Sequence, residues 1–383
     1  MKNKKKIYLD FASTAPMERG VVLAMEPYWS ETYANPGSIH SCGQDAIKAV
    51  DGARGTIQKF LGARSPHEII FAGSATEANN LATRGVVKLK TPRVAKPRVI
   101  TTRIEHPSVL EPIRRLAEHG EIEAVYLGVD KGGLINPEEL KSSINENTVL
   151  VSIGYANNEI GTIQPIQEAV KIVKELNPKI IFHTDAVQAI QFLEADVKKL
   201  GVDLMTVSAH KIYGPKGIGA LYVKDGIKLE SVIYGGGQEY GLRSGTENVP
   251  FIVGFAKAVQ ILEKWKTQTN IKKLESLRDY LWQEMQTWKR GFQVNGVMGE
   301  KRLPNNLNIH IPSADGETLL VALSEAGACV SSGSACASRS QGPSHVIKAI
   351  GGRENGANLR LTIGRQTVKD DIDAFLETLK NLT

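Results

Sequence analysis

Between residues 98 and 223 short apolar runs alternate with amphipathic stretches, and this alternation leaves the chain few folds to choose from. Arg98-Val99-Ile100-Thr101, Ala124-Val125-Tyr126-Leu127, Val149-Leu150-Val151-Ser152-Ile153, Ile180-Ile181-Phe182, Leu204-Met205-Thr206-Val207 and Ala220-Leu221-Tyr222-Val223 are short and nearly continuous in hydrophobicity. Runs of that kind read as strands buried on both faces. Residues 108–119, 165–176 and 194–200 carry helical spacing between them. The pattern predicts an α/β fold, a mostly parallel sheet wrapped by helices. Ligands of such sheets sit beyond the carboxyl ends of the strands, so the residues just after each run become the candidates for chemistry. From about Phe255 the pattern changes to one long polar helix over 256–288, a strand at Leu307-Asn308-Ile309-His310-Ile311 and a helix from Lys369. At 383 residues the chain exceeds the size at which a single core stops growing, roughly 250 to 300 residues. The expectation is a large domain over 16–255 and a smaller α+β domain made of 1–15 and 256–383.

Three segments stand out. Ser208-Ala209-His210-Lys211-Ile212-Tyr213-Gly214 places a lysine in a turn of small residues, with Ser208 and His210 beside it to hold an anionic group. A lysine amine does covalent chemistry when its neighbours lower its pKa and fix its direction. Phe182-His183-Thr184-Asp185-Ala186-Val187-Gln188 ends another apolar run with a carboxylate and an amide, suited to a protonated ring nitrogen and a phenolate oxygen. Gly73-Ser74-Ala75-Thr76 leads into a helix whose free N–H groups favour an anion, with the Thr76 hydroxyl added. Amine, carboxylate and anion cradle together are the protein half of a pyridoxal 5'-phosphate site.

With these segments in order, the chain resembles cysteine desulfurases of the NifS/IscS type, in the class V aminotransferase family of fold-type I pyridoxal phosphate enzymes. The matching blocks include Tyr8-Leu9-Asp10, Asn35-Pro36-Gly37-Ser38-Ile39-His40, Ala75-Thr76-Glu77-Ala78-Asn79-Asn80, Glu105-His106, Asn157-Asn158-Glu159-Ile160-Gly161, 183–188, 208–222, 235–249, 331–338 and 360–365. The resemblance implies Lys211 as the Schiff-base lysine, with Ala75, Thr76, Asn158, Asp185, Gln188, Ser208 and His210 around the cofactor. It implies His106 stacked on the cofactor ring and serving acid–base steps. Arg360 becomes the fork for the substrate carboxylate, supported by Asn158 and Asn35. Thr246, in the glycine-rich stretch 235–249, is implied to touch the neighbouring subunit's cofactor phosphate, hence a homodimer. The small polar segment around Cys336 resembles the persulfide loop, which makes Cys336 the thiolate that takes sulfur from L-cysteine and alanine the other product.

Three cysteines without zinc spacing predict free thiols in a reducing compartment and no metal site, with Cys329 read as packing. The basic start lacks a signal-peptide core and no run is long enough to span a bilayer, so the sequence predicts a cytoplasmic protein. A net charge of +6 spread along the chain gives no case for direct nucleic-acid binding. Phe11 departs from the family pattern by replacing a polar group near the expected substrate entrance. The chain ends soon after Arg365-Gln366-Thr367, and the sulfur-acceptor protein, an iron–sulfur scaffold or a thiolation enzyme, stays open. Two other readings also stay open: a selenocysteine lyase or other class V enzyme, and a non-catalytic relative that keeps the fold for binding.

Overall fold

The computed structural model describes residues 6–90, 96–312, 314–333, 344–353 and 355–383. In chain order its strands are β1 (Ile7–Tyr8), β2 (Ile69–Ala72), β3 (Arg98–Thr102), β4 (Glu123–Leu127), β5 (Thr148–Ser152), β6 (Ile181–Asp185), β7 (Leu204–Ser208), β8 (Gly219–Val223), β9 (Gln293–Val294), β10 (Asn306–Ile311), β11 (Ala328–Cys329) and β12 (Ala357–Thr362). The apolar runs of the sequence supply β3 to β8, which join β2 in one seven-stranded sheet of order β2-β8-β7-β6-β5-β3-β4. Neighbours from β7 to β4 pair parallel, whereas β8 runs antiparallel to both β7 and β2. The mostly parallel sheet expected from the alternation is therefore present, with an antiparallel edge.

Each strand feeds two layers because successive side chains point to opposite faces. Val99, Leu150, Ile181 and Leu204 pack with Leu81, Val86, Val109 and Ile113 from the helices Ala75–Lys90 and Pro107–Glu118. Their neighbours Ile100, Val151, Phe182 and Met205 turn to the other face, toward Val50, Ile57, Val173 and Phe255. Those residues come from the helices Ser41–Phe60, Ile166–Leu176 and Val249–Trp265. Full burial of each such side chain contributes about 1.5–3 kcal/mol, and burial on both sides fixes the sheet as the rigid floor of whatever lies at its strand ends.

The long helix expected over 256–288 is two helices. The first runs Val249–Trp265, starting at the side-chain cap of Asn248 with Pro250 in its first turn, and crosses the expected domain change at Phe255. It packs on Ser41–Phe60 and Arg19–Met25. The chain leaves helical geometry at Lys266, whose φ and ψ are −72° and 68°, and Thr267 caps the second helix, Gln268–Thr287, by accepting from the Asn270 N–H. Lys266-Thr267-Gln268-Thr269-Asn270 holds no glycine or proline to mark the break in the sequence; the Lys266 ammonium holds the corner by donating to the Ile190 carbonyl at 3.1 Å and to that of Leu193.

A three-stranded antiparallel sheet, β12-β10-β9, and the parallel pair β1-β11 form a second, smaller unit with the helices Gly316–Glu325, His345–Ala349 and Lys369–Leu382. Pairing of Ile7 with Ala328 and of Asp10 with Thr362 carries the first residues across this unit and delivers residues 10–15 to the ends of β6 and β7.

Candidate active site

β6 ends at Asp185, which pairs with Thr206 of β7, and the chain continues through Ser208 into the tight turn Ala209–Ile212 that carries Lys211. Tyr213 ends that turn in the left-handed region, φ 67°, a conformation strained for a non-glycine residue. Its hydroxyl accepts from the Arg365 N–H at 2.7 Å and its ring lies 4.2 Å under the Arg365 guanidinium. These contacts hold the strained residue, and so the lysine two positions before it.

A cavity of about 500 Å³ opens over this turn. Its walls bring together Ala75, Thr76, His106, Asn158, Asp185, Gln188, Ser208, His210, Lys211 and Arg360, which the sequence distributes over almost the whole chain. The Lys211 ammonium donates to the carbonyls of Ala12 and Ser13 at 2.5 and 2.7 Å, and Gln188 Nε2 donates to the Ala12 carbonyl at 3.0 Å. His210 Nδ1 lies 3.2 Å from Thr14 Oγ1. Burial, reinforced by Lys211 and Lys216, pushes the His210 imidazole down to about 4, so the ring is neutral at neutral pH.

Asp185 accepts from Asn79 Nδ2 at 2.7 Å and from the Val187 N–H at 3.0 Å. The same Asn79 amide reaches Ser108 Oγ at 2.8 Å, and that hydroxyl lies 2.8 Å from His106 Nδ1. His106 also caps the helix Pro107–Glu118 through the Ser108 N–H. Burial lowers the His106 pKa and outweighs the opposing pull of Asp185, which leaves the imidazole neutral. One hydrogen-bonded chain thus ties the carboxylate to the imidazole through Asn79 and Ser108. Neither link was assigned from the sequence, although Asn79 lies one helical turn after Ala75, which is where an inward-facing helix residue should be sought.

Arg360, on β12, is 2 % exposed and projects into the cavity from the smaller unit. One terminal nitrogen donates to Asp10 Oδ1 at 2.8 Å and Ser13 Oγ at 2.6 Å, the other to the Asn158 carbonyl at 3.1 Å. Its Nε is buried without a partner among the described residues. A guanidinium so placed offers its fork to an incoming carboxylate in exchange for Asp10. Asp10 and Ser13 are further residues that sequence reasoning missed, since nothing local joins residue 10 to residue 360.

The helix Ala75–Lys90 starts at the cavity wall. Gly219 stands behind that start so closely that a Cβ there would lie 2.8 Å from the Ala75 nitrogen. Asn35 and Thr246 lie elsewhere within one chain, together on a separate hollow of about 280 Å³ with Tyr28, Tyr33 and Asn248. Phe11 stacks edge-on against Tyr8 and lines a small hollow beside Lys211, but it does not line the main cavity. Cys336 lies outside the described residues. Of the other cysteines, Cys42 and Cys329 are free thiols. Among the described residues no group of three or more His, Cys, Asp or Glu side chains could hold a metal ion.

A lysine, a carboxylate and a helix start gathered at the carboxyl ends of a mostly parallel sheet define a fold-type I architecture, and a family model described as aminotransferase class-V matches residues 7–375. The chain belongs to that family. It is 44% identical to the cysteine desulfurase IscS of Dictyoglomus turgidum over 99% of this chain and 95% of the relative. It is 43% identical to the cysteine desulfurase IscS 1 of Archaeoglobus fulgidus over 97% and 95%. Among solved structures, a NifS-like protein superposes with a TM-score of 0.91 at 36% identity, covering 98% of this chain and 99% of its own. SspA in complex with cysteine superposes at 0.82 and 36%, covering 95% and 100%.

Proposed function

We propose that the protein is a cysteine desulfurase that binds pyridoxal 5'-phosphate, converts L-cysteine to L-alanine and receives the sulfur on Cys336. The observation that carries the reading is the convergence of Lys211, Asp185 and Arg360 on one cavity beside the start of the helix Ala75–Lys90. The donor set fits the cofactor. The Ala75 and Thr76 amides with the Thr76 and Ser208 hydroxyls suit a phosphate, Asp185 suits a protonated ring nitrogen, Gln188 a ring oxygen, and Lys211 the aldehyde. Bound there, pyridoxal phosphate supplies an electron sink for the charge left at the substrate Cα when its proton departs.

The residues of the chain divide the remaining work. Arg360, steadied by the Asn158 carbonyl, takes the substrate carboxylate. Lys211 is the base that moves the Cα proton, and the carbonyls of Ala12 and Ser13 hold its Nζ on the cavity side. Neutral His106 exchanges protons beside it, kept in one ring orientation by Ser108. The Cys336 thiolate attacks the substrate sulfur: a sulfur–sulfur bond forms, the Cβ–S bond breaks, and Cβ takes a proton to become the methyl of alanine. Sulfur is oxidised to the persulfide level as carbon is reduced, so no outside redox partner enters.

Asn35 and Thr246 then work in a homodimer, with Thr246 on the phosphate of the neighbouring subunit. Tyr33, 76% exposed, lines the hollow beside them, and Ile39, 95% exposed, follows shortly along the chain. The persulfide passes to an acceptor protein, an iron–sulfur scaffold or a thiolation enzyme, in the cytoplasm. No helix among the described residues is long and apolar enough to cross a membrane.

The test is to mix the purified protein with L-cysteine and follow alanine, sulfide and protein mass together. Expected are alanine in step with sulfide, one extra sulfur on the peptide carrying Cys336, and borohydride fixation of the cofactor to Lys211. Wild-type release of alanine and sulfide by Cys336→Ala would replace this reading with a lyase that does not use the thiol.

A further inference from the structure

We infer that Glu159 is a positioning residue for sulfur transfer, its buried carboxyl group accepting from Ser344 and packing against Gly333, the described residues on either side of the segment that carries Cys336. The inference rests on reading Cys336 as the sulfur-accepting thiol.

The Glu159 backbone is fixed from several sides. Asn157 Oδ1 accepts from the N–H groups of Glu159 and Ile160 at 2.9 and 3.0 Å, and Gly161 closes the turn at φ 71°. The side-chain amides of Asn306 and Asn308, on β10, both donate to the Glu159 carbonyl at 3.1 Å. With its main chain held this way, and only 1 % of the residue exposed, the side chain has one direction left.

That direction is toward Gly333 and Ser344. Ser344 Oγ donates to Glu159 Oε2 at 2.5 Å, and a Cβ on Gly333 would stand 2.7 Å from the same oxygen. Ser344 is therefore bonded to the carboxyl group, and Gly333 packs against the same oxygen with no room for a side chain. Ser344 is itself fixed, because its hydroxyl caps the helix His345–Ala349 through the Val346 and Ile347 N–H groups, and His345 Nε2 lies 2.9 Å from the Glu105 carbonyl beside His106. On the other side, Ser331 pairs backbone to backbone with Arg360, at 2.7 Å for the Arg360 N–H. Since Asn158 holds the Arg360 guanidinium through its carbonyl, consecutive residues of one turn serve the substrate-carboxylate arginine and Ser344.

Burial of a carboxylate is costly even when hydrogen-bonded, and here it raises the Glu159 pKa against the opposing effect of the Ser344 hydroxyl. An aliphatic side chain would fill the same space without that penalty but could not accept from Ser344. The chemistry of the contact is what the site uses.

The experiment compares holoenzyme of wild type, Glu159→Ala, Glu159→Gln, Ser344→Ala and Ser344→Thr. Its readouts are the rate at which sulfur appears on Cys336, exchange of the substrate Cα proton with deuterated solvent, and KM for L-cysteine. Glu159→Ala and Ser344→Ala are expected to slow sulfur appearance about tenfold or more while Cα exchange and KM stay within about twofold. Ser344→Thr keeps the hydroxyl and Glu159→Gln keeps an acceptor oxygen, so both recover most of the rate. In the cofactor-free protein, backbone amides of 344–350 should exchange with deuterium faster in Glu159→Ala than in wild type. A wild-type rate of sulfur appearance in Glu159→Ala overturns the inference, and so does an equal loss of Cα exchange. Sulfur found on no Cys336 peptide of the wild type overturns instead the reading on which the inference rests.

Discussion

Glu105 shows how far burial alone can move a side chain. It sits fully enclosed beneath His106, accepting from Thr102 Oγ1 at 2.7 Å and the Gly154 N–H at 2.9 Å. Burial pushes its pKa up to about 7 despite those two hydrogen bonds. The folded protein therefore binds a proton that the unfolded chain, near the ordinary carboxylate value, gives up. Stability linked to Glu105 is present below about pH 4.5 and declines as pH rises through about 7. Glu105→Gln cannot ionise and keeps an acceptor for Gly154 and Thr102. Its unfolding free energy from denaturant titration, relative to wild type, should rise between pH 5 and pH 8 by an amount on the order of 2–3 kcal/mol. A constant difference across that range would show that Glu105 stays ionised in the fold.

At the scale of elements, the anion cradle depends on how closely the helix Ala75–Lys90 starts against β8. Gly219, the first residue of β8, pairs with Ala72 and packs under Ser74 and Ala75. A methyl group there would meet the Ala75 nitrogen and the Ser74 carbonyl carbon, each at 2.8 Å, and neither backbone atom can turn away as a side chain would. Gly219→Ala should displace the helix start and weaken pyridoxal phosphate binding about tenfold, equivalent to about 1.4 kcal/mol, in an absorbance titration of the apoprotein. Overpacking also destabilises by about 1–3 kcal/mol, so the thermal midpoint is measured alongside. Unchanged cofactor affinity would remove the helix start from the site.

On the scale of the whole molecule, Asn35 and Thr246 share a hollow away from Lys211, near the exposed side chains of Trp29, Tyr33 and Ile39. A second copy covering this face would complete the cavity of its neighbour. Ile39→Asp with Tyr33→Asp places charge in such an interface while leaving the folded core untouched. Sedimentation should find a dimer for wild type and a monomer for the double variant. The monomer should retain its far-ultraviolet circular dichroism and bind pyridoxal phosphate more weakly. A monomeric wild type of full activity would dismiss the arrangement.

The central sheet and the positions of Lys211 and Asp185 were legible in the chain because apolar runs, small-residue turns and strand-end polar groups are local signals. Val99 and Ile100, or Leu204 and Met205, need only their own alternation to be assigned to two buried faces. The helix break at Lys266 escaped because no glycine or proline marks it, while the lysine that stabilises the corner bonds to Ile190 and Leu193 far away in sequence. Arg360 could be read as a candidate for the substrate carboxylate, but its ties to Asp10 and Ser13 could not. Asn79 joins Asp185 to Ser108, and Glu159 accepts from Ser344, across similarly long separations. Local sequence thus determined which elements form and which groups can do chemistry. Only the tertiary structure decided which of those groups meet, because a hydrogen bond between distant residues depends on packing that no short stretch of chain specifies.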